Sequence, residues 1–261
     1  MNNTQKYIFN NRRKILTFIL LAVFLINILK IDNNKGIFHS GGYSTLKSIF
    51  SSLLSPDLSF DIVVLALISC WKTFAYALMS ISLALITAFP LGVLASGILF
   101  PNKYIVLPVR ALIGFLRAIH ELIWAWIFVA AVGLNPVGAV FALGIPYTGY
   151  LGKIFADILT EVPQAPINAL KISGAGKLQT LFYGYLPSAF PDMFSYTMYR
   201  LECAVRSSSV LSFVGLGGIG FQIQLSLQDL KYNQVWTFMF FLIIMILGID
   251  KWGYEIRRRI G

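Results

Sequence analysis

Apolar runs close to the length of a membrane span recur from one end of this chain to the other, broken by short polar stretches. About 20 apolar residues in α-helical form cross a hydrocarbon layer roughly 30 Å thick. No water reaches the backbone there, so each run must satisfy its own hydrogen bonds, and helices do so. The expected class is an all-α integral membrane protein. Composition agrees: 57% of the 261 residues are hydrophobic and 12% charged, about half the charge of a soluble domain. The net charge of +10 flanks apolar runs instead of forming a separate basic patch. That pattern fits membrane topology and argues against nucleic-acid binding.

Six crossings are expected. The first runs from Ile15 to Leu29 behind Arg12, Arg13 and Lys14. It reads as an uncleaved anchor, because no small-x-small cleavage site follows Leu29. Residues 30–60 are polar, but Leu46, Ile49, Phe50, Leu53 and Leu54 recur at helical spacing. They predict a helix on the outer membrane surface or packed on the other spans. Between Asp61 and Phe100 the chain is apolar for too long to be one straight span. Lys72 is the expected division, with 61–71 shallow and a second span from Thr73 to Leu99 kinked at Pro90. The third span is expected from Val106 to Val132, the fourth from Pro136 to Phe155 and the fifth from Ser188 past Arg206. Residues 207–232 read as irregular, and Val235 to Ile249 form the last span. Small residues on the fourth span (Gly138, Ala142, Gly144, Gly149 and Gly152) would admit close neighbours. In domain terms, 1–60 is an anchor helix with an extracytoplasmic surface segment, and 61–261 is the transmembrane domain.

Six crossings put both termini, the 101–110 loop and residues 156–187 on one side. That side holds Arg12, Arg13, Lys14, Lys103, Arg110, Lys171, Lys177, Lys251 and Arg257 to Arg259. The other holds Lys30, Lys35, Lys47, Lys72 and Lys231. The bias places the termini and the polar island Thr160–Pro191 in the cytoplasm.

Two motifs look like chemistry and do not carry it. Ser173-Gly174-Ala175-Gly176-Lys177 lacks the earlier Gly and the following Ser or Thr of a phosphate-binding loop, holding Lys171 and Leu178 there. Gly215, Gly217 and Gly220 satisfy GxGxxG but follow a membrane span rather than a strand. They read as a break in a helix. His39 and His120 lack metal-pair spacing, Cys70 and Cys203 form no CxxC motif, and no catalytic constellation stands out. No catalytic residue, metal site or cofactor is expected.

The polar island holds Asn168-Ala169-Leu170, then Gly174, then Leu186-Pro187. It resembles the EAA loop of ABC importer permeases: Glu-Ala-Ala, three residues, Gly, nine residues, Ile-x-Leu-Pro. Ala169, Gly174, Leu186 and Pro187 match; Asn168 stands at the Glu position, Leu170 at the second Ala and Gly184 at the Ile. Residues 117–134, 181–191 and 199–221 are similar to the phosphonate importer permease family, and the resemblance covers about 70–250. It implies a type I ABC importer permease fold like that of methionine importers, in a bacterial inner membrane. It further implies a homodimer, two cytoplasmic ATPases carrying Mg-ATP, an extracytoplasmic solute-binding protein, and import of phosphonate or related phosphorus oxyanions. Residues 160–187 would be the coupling loop, a short helix broken at Gly174-Ala175-Gly176, with Pro187 stopping the loop and opening the next span. A permease for another solute, or a channel or anchor with no ATPase, stays open as the alternative.

Charge inside the spans is the second lead. Arg117, His120 and Glu121 fall on the third span, and Arg200, Glu202 and Arg206 on the fifth. Ions at that depth cost several kcal/mol unless paired or in a water-filled path. Glu202 and Arg206 are spaced to pair on one helix, and Glu121 and Arg200 fall at similar depth. These residues are either helix-to-helix ties or the wall of an anion pathway.

Overall fold

A computed structural model describes residues 3–30, 42–215 and 217–260. Residues 31–41, within the polar outer segment 30–60 read above and including Lys35 and His39, lie outside the described residues. The chain divides into two compact units between Phe50 and Ser51. The first holds helix α1 (Asn3–Lys30) and most of α2 (Gly42–Ser52). On α1, Ile15 to Ile26 present an almost continuous exposed apolar surface, as lipid would require.

The second unit consists of helices joined by short turns, with no strand among its described residues. Its elements are α3 (Phe60–Ser96), α4 (Lys103–Ala118), α5 (Glu121–Val132), α6 (Pro136–Glu161), α7 (Gln164–Ile172), α8 (Lys177–Thr180), α9 (Leu186–Leu211), α10 (Ile219–Gln228) and α11 (Tyr232–Ile260). A π-helical turn, Leu181–Tyr185, joins α8 to α9, and a 3-10 turn, Ser212–Val214, follows α9. Asn102 and Asn135 accept the N–H groups of Tyr104 and Val137, starting α4 and α6. Gly97, with φ +76°, ends α3.

The core is built on α6, most of whose residues between Gly138 and Leu159 are buried. It packs against α3 through Ala77, Ser80, Ala84, Ala88 and Gly92. The approach is close because the residues are small: a Cβ on Gly92 would lie 2.8 Å from that of Phe155. Thr87 and Thr148 hydrogen-bond across it at 2.7 Å.

Several expected boundaries move. The division at Lys72 is absent: α3 runs unbroken through it and through Pro90. At 37 residues it is about 55 Å long, so it must tilt or project beyond the hydrocarbon layer. The third span is not one helix but two, with α4 and α5 meeting at 84°. No proline or glycine causes this bend; His120 caps α5 by accepting the Leu122 N–H, and Ser207 holds Glu121 from another helix. Residues 207–232 are mostly helical: α9 continues to Leu211 and α10 returns against it. The turn uses Gly215, Gly217 and Gly218, all at positive φ. A Cβ on Gly220 would overlap the Ser209 carbonyl, so the GxGxxG pattern reports a tight helix return. Pro187 does not interrupt the chain, since α8, the π turn and α9 follow one another without a break. By length and apolarity, α3, α6 and α11 can cross a membrane, and α4 with α5 can act as a fourth, bent crossing. The other two expected crossings fall short for different reasons: the apolar part of α1 is only Lys14–Asn27, and α9 carries Asp192, Arg200, Glu202 and Arg206.

Candidate functional site

The polar island folds into a helix with a defined end. In α7, Ile167 is fully buried, Leu170 half-buried, and Asn168 and Ala169 exposed. Gly174, at φ +87°, terminates it: the Gly174 N–H donates to Lys171 and that of Ala175 to Leu170. The glycine break read from the sequence is therefore a helix stop. Ile172, at the tip, is 88% exposed. Gln179 accepts the Gly176 N–H at 2.8 Å, so the loop resembling a phosphate cradle spends that amide on its own side chain.

This helix is locked to the start of α9. A Cβ on Gly184, in the π turn, would lie 2.7 Å from Ile167 Cδ1 and 2.9 Å from Leu170 Cδ1. The Tyr185 hydroxyl donates to Gln164 at 3.4 Å. Leu186 is half-buried and Pro187 exposed in the first turn of α9. Ile167 and Leu170 of α7 therefore rest directly on the turn that leads into α9.

The charges inside the bundle are partnered differently from the sequence-based pairing. Glu202 and Arg206 do not bond each other. Glu202, nearly buried, accepts from Arg257 at 2.5 Å, and Arg206 meets Asp250 at 3.2 Å, so both tie α9 to α11. Glu121 and Arg200 also take separate partners. Glu121 accepts from the Ser207 hydroxyl at 2.7 Å, and Ser207 in turn accepts from Tyr147 at 3.3 Å. His120 Nε2 stands 3.9 Å from Glu121.

Arg200 has no carboxylate partner among the described residues. Its Nε donates to the Tyr196 hydroxyl at 2.8 Å. Its guanidinium carbon lies 4.6 Å from the Tyr150 ring centre, 5.0 Å from Tyr196 and 5.6 Å from Tyr199. Three aromatic faces stabilise the cation without neutralising it. The spacing of Tyr196, Tyr199 and Arg200 along one helix is visible in the sequence. Tyr150, Ser207, Asp250 and Arg257 reach their partners only through the tertiary fold. Among the described residues no three potential metal ligands gather.

Comparison with known proteins gives a consistent picture. A family model described as binding-protein-dependent transport system inner membrane component matches residues 88–250. The chain is 30% identical over 241 residues to PtxC of Stutzerimonas stutzeri, a phosphite transport system permease protein, covering 92% of this chain and 85% of that one. It is 30% identical over 213 residues to PhnE of Mycolicibacterium smegmatis, a phosphate-import permease protein, covering 81% of this chain and 40% of that one. Its fold matches a crystal structure of the MetNI methionine ABC transporter in an inward-facing conformation, with TM-score 0.69 and 24% identity. That match covers 78% of this chain and all of the other.

Proposed function

Since the chain belongs to the family of binding-protein-dependent transport system inner membrane components, permease subunits that work with ATPase and binding-protein partners, we propose that it imports a phosphorus oxyanion such as phosphite or a phosphonate. The chain is an ABC transporter permease, and in this family ATP is hydrolysed by the partner ATPase. In this reading two copies pair, two ATPases bind on the cytoplasmic side, and a solute-binding protein delivers from outside. Both termini face the cytoplasm, following the basic flanks. Although charged, α9 crosses the membrane, because Glu202 is paired inside the bundle and Arg206 is paired with Asp250 on its surface.

The seating of α7 on Gly184 supports a coupling role. Asn168, Ala169 and Ile172 face outward as a contact surface for the ATPase, while Ile167 and Leu170 hold the helix to α9. Asn168, where the resembled family has Glu, offers a hydrogen bond in place of an ion pair. Arg200, held by tyrosines and left unneutralised, is the residue of the charged set best suited to meet an anion during transport. Glu202 and Arg206 act as ties between helices. The test is co-purification with the co-expressed ATPase. Wild type should retain it and Ile172→Asp should lose it; retention by Ile172→Asp would reject α7 as the contact.

A further inference from the structure

Lys103, Arg110 and Arg117 recur every seven residues along α4, close to two helical turns apart, and so share one face. Arg110 and Arg117 line a cavity of about 280 Å³ between α3, α4 and α6. Lys153 and Asp157 complete its charged wall from α6.

The geometry is specific. The Arg110 Nε donates to the Ala95 carbonyl at 2.9 Å, which fixes the guanidinium and leaves its terminal N–H groups available. Among the described residues Arg117 has neither a carboxylate nor a hydrogen-bond partner. Lys153 bonds Asp157 at 2.6 Å, so the cavity keeps an excess of two positive charges. Gly149 brings the walls together: a Cβ there would lie 2.8 Å from the Arg117 backbone nitrogen and 2.9 Å from the Ile113 carbonyl. Lys153, one turn further along α6, is thereby set on the same cavity as Arg117. Gly114, on the lining, is the reverse case. A Cβ there would meet nothing within 4 Å, so this glycine leaves space unfilled instead of permitting contact. At roughly 30 Å³ per water, the cavity has room for a tetrahedral anion with part of its hydration.

An unneutralised arginine within a membrane-crossing segment is costly unless a counter-charge or water reaches it. Its planar fork matches two oxygens of a phosphate group. Basic pockets between membrane helices take phospholipid headgroups on the same principle. We propose that the α3–α4–α6 cavity is a binding site for a phosphate-class anion held by Arg110, Arg117 and Lys153, supplied as a phospholipid headgroup or as a free oxyanion. The site shares no lining residue with the Arg200 cluster and does not depend on which solute is imported.

The full-length chain is purified into lipid nanodiscs in two arms. In the first, native mass spectrometry counts phosphatidylglycerol against phosphatidylcholine retained after delipidation. In the second, binding of labelled inorganic phosphate and phosphite is measured in discs of phosphatidylcholine alone. Each arm compares wild type with Arg117→Gln, Gly114→Leu and Arg117→Lys. Gly114→Leu fills the cavity without touching a charge, and its side chain enters open space, so folding should survive. At least one probe should bind wild type, with Arg117→Gln and Gly114→Leu weakening it by about tenfold or more and Arg117→Lys retaining most of it. Selective retention of phosphatidylglycerol assigns the site to lipid; binding of the soluble anions assigns it to a free oxyanion. If neither probe binds, or binding is the same in wild type and in monodisperse Arg117→Gln and Gly114→Leu, the proposal is overturned.

Discussion

Replacing Arg257 with alanine strands a carboxylate inside the bundle, and the cost should be large. The Glu202 side chain is 8% exposed and that of Arg257 24% exposed. A Cβ on Gly253 would overlap the Glu202 carboxylate, so that glycine makes room for the pair. Breaking a buried ion pair by removing one partner costs about 3–5 kcal/mol, chiefly from the charge left behind. At about 1.4 kcal/mol per tenfold, Arg257→Ala should lower the folded-to-unfolded ratio by about two to three and a half powers of ten. Glu202→Gln should cost less, about 1–3 kcal/mol, because it leaves Arg257 the more accessible group and keeps an acceptor near it. The double variant Glu202→Gln/Arg257→Ala should be more stable than Arg257→Ala alone, since no ion is stranded. Equilibrium unfolding in mixed micelles measures all three against wild type. The reasoning fails if Arg257→Ala costs under about 1 kcal/mol, or if the second substitution restores nothing.

Three further outcomes are expected. Gly184→Val drives a branched side chain into Ile167 and Leu170, so it should abolish coupled uptake while the purified protein keeps its helical circular dichroism. Arg200→Gln removes the cation but leaves the tyrosines, and should cut anion uptake about tenfold with assembly unchanged; normal uptake would exclude Arg200 from the path. Asp57, at the corner before α3, is held below the usual carboxylate range first by the Ser59 backbone N–H and then by the Ser59 and Gln234 side chains. A lowered native pKa stabilises this corner above the unfolded value near 3.9, and the contribution fades as pH falls through the native pKa. Hydrogen-exchange protection at residues 233–237, taken relative to the intrinsic rate at each pH, should therefore fall on acidification below about pH 4 in wild type but not in Asp57→Asn.

Membrane class and family were legible because they depend on local signals: apolar run length, small-residue placement, and Gly174 followed by Leu186-Pro187. The bend at Ile119-His120 was not, since neither residue breaks helices by its own preference. Beside it Ser207 of α9 holds Glu121, a contact between residues far apart in the chain. The Glu202 partner was missed for the same reason: an i,i+4 arginine was available in sequence, yet the fold offers Arg257 across the helix interface. The segment after Arg206 looked irregular because its glycines were read as helix breakers. Three of them turn the chain, and Gly220 lets α10 pack back onto α9.

The central claim is that partner ATP hydrolysis, transmitted through α7, drives phosphorus-oxyanion import. It is tested most directly by radiolabelled phosphite and methylphosphonate uptake into proteoliposomes holding this chain with its ATPase and binding protein. The account predicts accumulation of at least one of them only when ATP and binding protein are both present, and its loss in Gly184→Val while the ATPase stays bound. Accumulation without ATP, or ATP-dependent uptake in Gly184→Val equal to wild type, would contradict it.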